Sequence, residues 1–134
     1  SNHERHTMIS HVFIGITDFE RAYAFYAALT PELGLQLKFK DPATPWAGWM
    51  KPDQARPLLL IGRPYDGAHA PGNGQMTALL APSRAAVDAL HATALANGAL
   101  CEGAPGVRAH YHPNFYGAYF RDLDGNKLCV VCHD

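Results

Sequence analysis

A faint internal repeat constrains the fold of this chain more than any other feature. An extended apolar segment at residues 11–18 leads into a helical pattern that ends at Gly34, and a similar segment at residues 76–83 leads into one that ends at Gly98. The two copies are offset by about 65 positions, which is longer than the roughly 20–50 residues of solenoid repeats. The sequence therefore predicts two paired modules of similar topology.

The first module, residues 8–64, has the pattern of a strand, a helix and three further strands. β-branched and aromatic residues predict the first strand at residues 9–16. Thr17 and Glu20 then match a capping box, in which a hydroxyl residue precedes a carboxylate by three positions at the start of a helix. Proline-bordered extended runs predict the remaining strands at residues 35–39, 46–50 and 58–61.

The second module, residues 75–134, repeats this order. A strand at residues 75–81 precedes a helix for which Ser83 is the predicted N-cap, and an Asp-Gly pair at residues 124–125 predicts a hairpin turn. The predicted later strands are residues 99–102, 116–121 and 127–132, with a loop at residues 103–114.

The chain is predicted to form a single α+β domain, residues 8–134, built from two tandem βαβββ modules. Their curved mixed sheets are expected to surround a shared cavity, since small ligands usually bind where repeated units meet. Residues 65–74 are rich in Gly and Pro and are predicted to link the modules. We interpret residues 1–7 as a cloning remnant or a disordered tail.

Composition argues against several classes of function. The formal net charge is −1, so no strong attraction to nucleic acid or to an anionic membrane is expected. No apolar run approaches the roughly 18 residues of a membrane helix. Three cysteines are too few for a disulfide framework and indicate reduced thiols. We therefore expect a cytoplasmic protein whose partner is a small molecule.

Several short motifs occur in order along the chain: the segment from His11 to Asp18, the Phe25-Tyr26 pair, Gly34-Leu35, and the turn at residues 122–126. Together they resemble the glyoxalase/bleomycin-resistance/dioxygenase superfamily, also called the vicinal oxygen chelate fold, over roughly residues 8–133. The resemblance implies a homodimer with a ligand cavity. It says less about activity, because this scaffold hosts isomerases, dioxygenases, epimerases, thiol transferases and non-catalytic drug-binding proteins.

The resemblance also implies a divalent metal held by the first and last strands of each module. His11 fits the first position, whereas the strand at residues 58–61 offers no ligand side chain. Met76 stands at the third position, and Cys129 stands where many relatives carry a glutamate. A thioether is a poor ligand for Zn²⁺, Ni²⁺, Mn²⁺ or Fe²⁺. We therefore expect no metal cofactor, with one such ion on His11 and Cys129 as the alternative.

A polar segment before residue 116 supplies the other candidates. His110 and His112 would share a face if the segment were extended, and such a pair can bind a metal, contact an anion or move a proton. Arg108 and Tyr111 flank this pair and suit a ligand carboxylate or phosphate. The predicted substrate-binding residues are His11, Met76, Arg108, His110, Tyr111, His112, Tyr119 and Cys129.

Two hypotheses about function follow. The first is a glyoxalase-like lyase, or a related enzyme of the superfamily, with a degenerate metal site. The second is a metal-free protein that binds or sequesters a small molecule, as in the bleomycin-resistance branch. The sequence identifies no catalytic residue and no substrate for either hypothesis.

Overall fold

The computed structural model describes residues 7–134, which form two compact units. Unit one ends at Ala70 and unit two begins at Pro71. The boundary falls within the segment expected to link the modules. The expected tail at residues 1–7 lies outside the described residues, except for Thr7.

Unit one is a four-stranded mixed sheet with a helix on one face. The strands are ordered β1-β4-β3-β2, with β1 and β4 parallel and the other neighbours antiparallel. Tyr23 of the helix stacks on Trp49 of the sheet, with ring centroids 5.6 Å apart. The elements are β1 (His11–Gly15), α1 (Phe19–Leu29), a short 3₁₀ helix (Thr30–Leu33), β2 (Gln36–Asp41), β3 (Trp46–Met50) and β4 (Leu58–Gly62).

Helix α1 is capped by Asp18 and not by Thr17, so the predicted capping box is wrong by one residue. The Asp18 carboxylate accepts a hydrogen bond of 3.3 Å from the backbone N–H of Arg21. A carboxylate at this position also interacts favourably with the positive end of the helix dipole. Gly34 ends the 3₁₀ helix in the left-handed conformation, with φ of 68°.

Unit two repeats this architecture. Its strand order is β5-β8-β7-β6, with β5 and β8 parallel, which corresponds to the order in unit one. The repeat is thus confirmed as a repeated topology, and the fold is α+β with two open four-stranded sheets. Ser83 caps the helix as predicted, accepting a hydrogen bond of 3.0 Å from the backbone N–H of Ala86. The elements are β5 (Thr77–Leu80), α2 (Arg84–Ala96), β6 (Leu100–Val107), β7 (Tyr116–Arg121) and β8 (Lys127–Cys132).

Strand β6 is longer than the sequence predicted. The expected strand ended at residue 102, but pairing with β7 continues to Val107 across two irregularities in register near Gly103. Bulges allow a strand to keep pairing through glycines that would otherwise interrupt it. Pro105 is tolerated because β6 is the edge strand of its sheet.

The core of unit two lies between α2 and one face of its sheet. Val87, Leu90 and Ala94, the predicted apolar stripe of the helix, are fully buried where α2 packs on β7 and β8. This packing leaves the opposite face of the sheet available to polar side chains. No helix among residues 7–134 combines the length and apolarity needed to cross a bilayer.

Candidate functional site

Four side chains with functional groups share the face of β7 and β8 that points away from α2. Tyr119 lies directly opposite Cys129, and Arg121 lies directly opposite Lys127. Because alternate residues of a strand point to opposite faces, these four are neighbours on one surface. The intervening residues of both strands are the ones that pack against the helix.

Two adjoining cavities open on this surface, with volumes of about 590 and 260 Å³. Tyr111, Tyr119 and Lys127 line both cavities and therefore form their common wall. We call the two cavities together the Tyr119 pocket. The larger cavity is also lined by residues 71–76 and Arg121, and the smaller one by Glu102, Arg108 and His110.

Tyr119 lies at the centre of the polar groups on this face. Its side chain interacts with two titratable partners, Cys129 and Tyr111. Burial, reinforced by these two partners, raises the pKa of Tyr119 to about 12. Burial also raises the pKa of Cys129, although the bond from Tyr119 and the charges of Arg108 and Lys127 act in the opposite direction. Tyr119 and Cys129 are therefore both protonated and uncharged at neutral pH.

Two cations lie beside the Tyr119 ring. The guanidinium carbon of Arg108 is 5.5 Å from the ring centroid, and the Lys127 ammonium nitrogen is 5.7 Å from it. Both distances are within reach of a cation–π interaction. A third cation, Arg121, is neutralised by Glu102, since its Nε donates a hydrogen bond of 2.9 Å to the carboxylate.

Arg108 is held in place by the backbone of β6. Its Nη1 donates to the carbonyl oxygen of Gly106 at 2.8 Å, and its Nη2 donates to that of Ala104 at 2.7 Å. A Cβ atom at Gly103 would lie 3.1 Å from Nη2 and 3.1 Å from the Tyr119 ring. The absence of a side chain at Gly103 therefore leaves room for the guanidinium beside Tyr119.

Comparison with models of protein families identifies one family for this chain. The model of the Glyoxalase/Bleomycin resistance protein/Dioxygenase superfamily matches residues 8–130. The chain belongs to this superfamily. Comparison with curated proteins gave no match.

Several solved structures share the fold. A glyoxalase/bleomycin resistance protein from Albidiferax ferrireducens T118 is 34% identical, with a TM-score of 0.83 over 94% of this chain and 99% of that one. A family enzyme from Burkholderia phytofirmans PsJN is 20% identical, with a TM-score of 0.68 over 93% of this chain and 98% of that one. TioX from Micromonospora sp. ML1 is 18% identical, with a TM-score of 0.64 over 96% of this chain and all of that one, 100%. At such identities the last two support the fold alone.

The donor groups at the superfamily's metal positions do not suit a divalent ion. Leu58–Gly62 of β4 is wholly apolar and buried, and Met76 offers only a thioether. Burial raises the pKa of the Cys129 thiol, so giving up its proton to become a thiolate ligand is costly. Among residues 7–134, no group of three or more His, Cys, Asp or Glu side chains is arranged to hold a metal. Among the metal-ligand positions that the resemblance implies, only His11 carries a side chain whose neutral form divalent metals commonly bind.

The remaining predicted residues fall in different places. His11 is in unit one, exposed on β1, where its Nδ1 shares a hydrogen bond of 2.9 Å with the Ser10 hydroxyl. Met76 and Tyr111 line the larger cavity. The structure thus brings together six of the eight predicted site residues on unit two: Met76, Arg108, His110, Tyr111, Tyr119 and Cys129.

The structure does not bring His110 and His112 together. Residues 109–111 form a turn, so the two imidazoles do not alternate as they would along a strand. The His110 ring packs against Tyr111, with centroids 4.2 Å apart, and lines the smaller cavity. Nε2 of His112 instead shares a hydrogen bond of 2.8 Å with Nδ1 of His133.

Sequence reasoning missed Lys127, Arg121 and Glu102. The first two flank the Asp-Gly turn, and counting register outward from that turn would have placed them opposite each other beside Tyr119 and Cys129. Glu102 carried no such signal. Its position depends on the bulge in β6, which the sequence did not indicate.

Proposed function

We propose that this superfamily member binds a small molecule in the Tyr119 pocket without a resident metal ion. The single observation that supports this proposal most directly is the state of Cys129. At the position where the resemblance implies a metal-binding glutamate, the chain has a buried thiol that lies opposite Tyr119 and whose pKa burial raises. Loss of the thiol proton to a metal ion would therefore cost more here than at an exposed cysteine.

The other groups of the pocket are suited to recognition. The hydroxyls of Tyr111 and Tyr119 can donate and accept hydrogen bonds, Arg108 and Lys127 are cations, and the larger cavity is about 590 Å³. A few polar groups converging in a cavity of that size are typical of small-molecule sites. The protonated thiol of Cys129 is a poor nucleophile.

A second candidate function, a glyoxalase-like lyase, is favoured by one observation. His110 places an imidazole in the smaller cavity, and imidazole is the commonest general acid and base of enzymes. On this alternative, His110 would act as the acid or base beside the ligand. Turnover of an α-ketoaldehyde–thiol adduct by the metal-stripped protein, abolished by His110→Ala, would favour the lyase over the binding protein.

The proposal includes a homodimer located in the cytoplasm. Apolar side chains exposed on β5 and before it, Leu80 and Met76, support self-association. Cys101, Cys129 and Cys132 are all free thiols, which fits a reducing compartment.

Elemental analysis of tag-free protein purified without chelators tests the metal-free proposal. We expect no stoichiometric metal, and no binding heat when Zn²⁺, Ni²⁺, Mn²⁺ or Fe²⁺ is titrated into stripped protein. Cys129→Ser serves as the matched control and should behave as the parent does. About one tightly held ion per chain, lost in His11→Ala or Cys129→Ser, would refute the proposal.

A further inference from the structure

Resting on the proposed binding function, we infer that the Tyr119 pocket selects an aromatic carboxylate. The carboxylate group would be held by Arg108 and Lys127, and the ring would lie against Tyr111 at the mouth of the larger cavity. The inference depends on three features of unit two: an uncompensated charge, a preorganised arginine, and exposed apolar and aromatic walls.

The charge balance of the pocket favours an anion. Its lining includes three cations and one carboxylate, and that carboxylate, Glu102, is paired with Arg121. Neither Arg108 nor Lys127 has a carboxylate partner among residues 7–134, although both lie beside the Tyr119 ring. A ligand carboxylate would supply the missing negative charge where part of the solvent has been excluded.

Arg108 is prepared for such a ligand. Two of its five N–H groups are used by the carbonyl oxygens of Ala104 and Gly106, which fix the plane of the guanidinium. The remaining N–H groups stay available for an oxyanion. Because the side chain is already ordered, binding loses little of its rotamer entropy.

The walls of the cavity favour an aromatic body on the ligand. The Tyr111 side chain is 60% exposed although it borders both cavities, and Met76 on the larger cavity is 45% exposed. Aromatic rings pack well on tyrosine faces and against thioether sulfur. The Tyr111 ring is also supported from the side by the His110 ring. A molecule of one or two rings fits a cavity of about 590 Å³.

The first experiment compares 2-naphthoate with 2-naphthamide, which have the same shape and differ in charge. Calorimetry and ¹⁵N-correlated NMR should show that 2-naphthoate binds about tenfold or more tightly than 2-naphthamide, and shifts the amide signals of residues around Tyr119. Acetate, which has the charge without the ring, should bind more weakly than 2-naphthoate. Raising the salt concentration should weaken only the two carboxylates.

Variants then test the two cations. Arg108→Gln and Lys127→Gln should each lower 2-naphthoate affinity about tenfold while leaving 2-naphthamide affinity unchanged. Arg84→Gln is the matched control, because Arg84 makes the same kind of contact with Tyr116, 5.0 Å from the ring centroid, outside the pocket. It should retain parent affinity. Gly103→Ala should also weaken 2-naphthoate selectively, since its methyl group would displace the guanidinium.

The outcomes separate this inference from the proposed function. Equal affinity for 2-naphthoate and 2-naphthamide, or failure of both to bind, overturns the preference for an anion. Acetate binding as tightly as 2-naphthoate overturns the aromatic part. None of these results bears on the metal-free proposal, which is tested separately by elemental analysis. Stoichiometric metal in the purified protein refutes that proposal whatever the order of the three ligands.

Discussion

His91 illustrates how a single buried residue couples the site to the stability of the fold. It lies on α2 and is 5% exposed, with its ring edge-on to Phe120 at 6.4 Å. Burial lowers its pKa below the usual 6.5, against the effects of a hydrogen bond with the Tyr119 backbone and the charge of Asp88. Its Nε2 has no hydrogen-bond partner among the described residues. The folded state therefore holds this imidazole neutral, directly behind the strand that carries Tyr119.

Acid should destabilise the protein through His91. Below about pH 6.5 the unfolded chain takes up a proton at this position that the folded chain resists, so the free energy of unfolding should fall until the pH passes the lower folded-state pKa. His91→Phe should flatten this dependence in urea unfolding between about pH 7.5 and 5. His110→Phe, at an exposed position, is the control and should keep the parent slope. A parent-like slope in His91→Phe would contradict the assignment.

The sequence predicted which residues belong to the candidate site better than it predicted their protonation states and hydrogen-bond partners. Arg108, Tyr111 and Tyr119 could be selected because their types and spacing suggest ligand contact. The protonation of Cys129 could not be predicted, because it depends on burial and on the opposing Tyr119, which belongs to another strand. The partner of His112 was equally hidden, since His133 is distant in sequence.

The start of α1 depends on one carboxylate. Asp18→Ala should lower the free energy of unfolding by about 1 kcal/mol, because the backbone N–H of Arg21 would lose its acceptor and the helix dipole would lose a favourable charge. Asp18→Asn keeps a capping oxygen and should stay within a few tenths of a kcal/mol of the parent. Urea unfolding monitored by circular dichroism measures both. An equal loss in the two variants would show that the charge, and not the cap, stabilises the helix.

At the scale of elements, the local residue pattern predicted the bounds correctly for three strands whose pairing with a neighbour is regular. β3, β7 and β8 begin and end where their β-branched and aromatic runs predicted. β6 was predicted too short because Gly103 and Pro105 are typical loop residues, while its pairing is decided by β7 and by bulges. That error is important for function, because the carbonyl groups that hold Arg108 belong to the missed part of the strand.

The two edges of the unit-two sheet differ in a way that bears on assembly. The β6 edge is interrupted by bulges and by Pro105, both of which discourage pairing with another chain. The β5 edge is regular, and its Leu80 side chain is 64% exposed. We therefore expect the proposed homodimer to use the β5 edge.

Leu80→Lys should convert the dimer to a monomer, because a charge at the β5 edge opposes close pairing and removes apolar contact. Leu100→Lys on β6 is a control of matched exposure, at 63%, and should remain dimeric. Light scattering after size-exclusion chromatography gives the mass of each species. A monomeric parent protein, or a dimeric Leu80→Lys variant, would rule out this interface.

The position of Arg108 at the end of an edge strand separates the residues of the pocket from those that stabilise the fold. Gly103 and Gly106, on that edge strand, leave the space that the Arg108 guanidinium occupies. The core beneath α2 is built from other residues. A single substitution on that strand would therefore alter the proposed ligand preference without disturbing the core. Variants of this chain could exchange one ligand preference for another through substitutions at the rim of the pocket, while the fold stays the same.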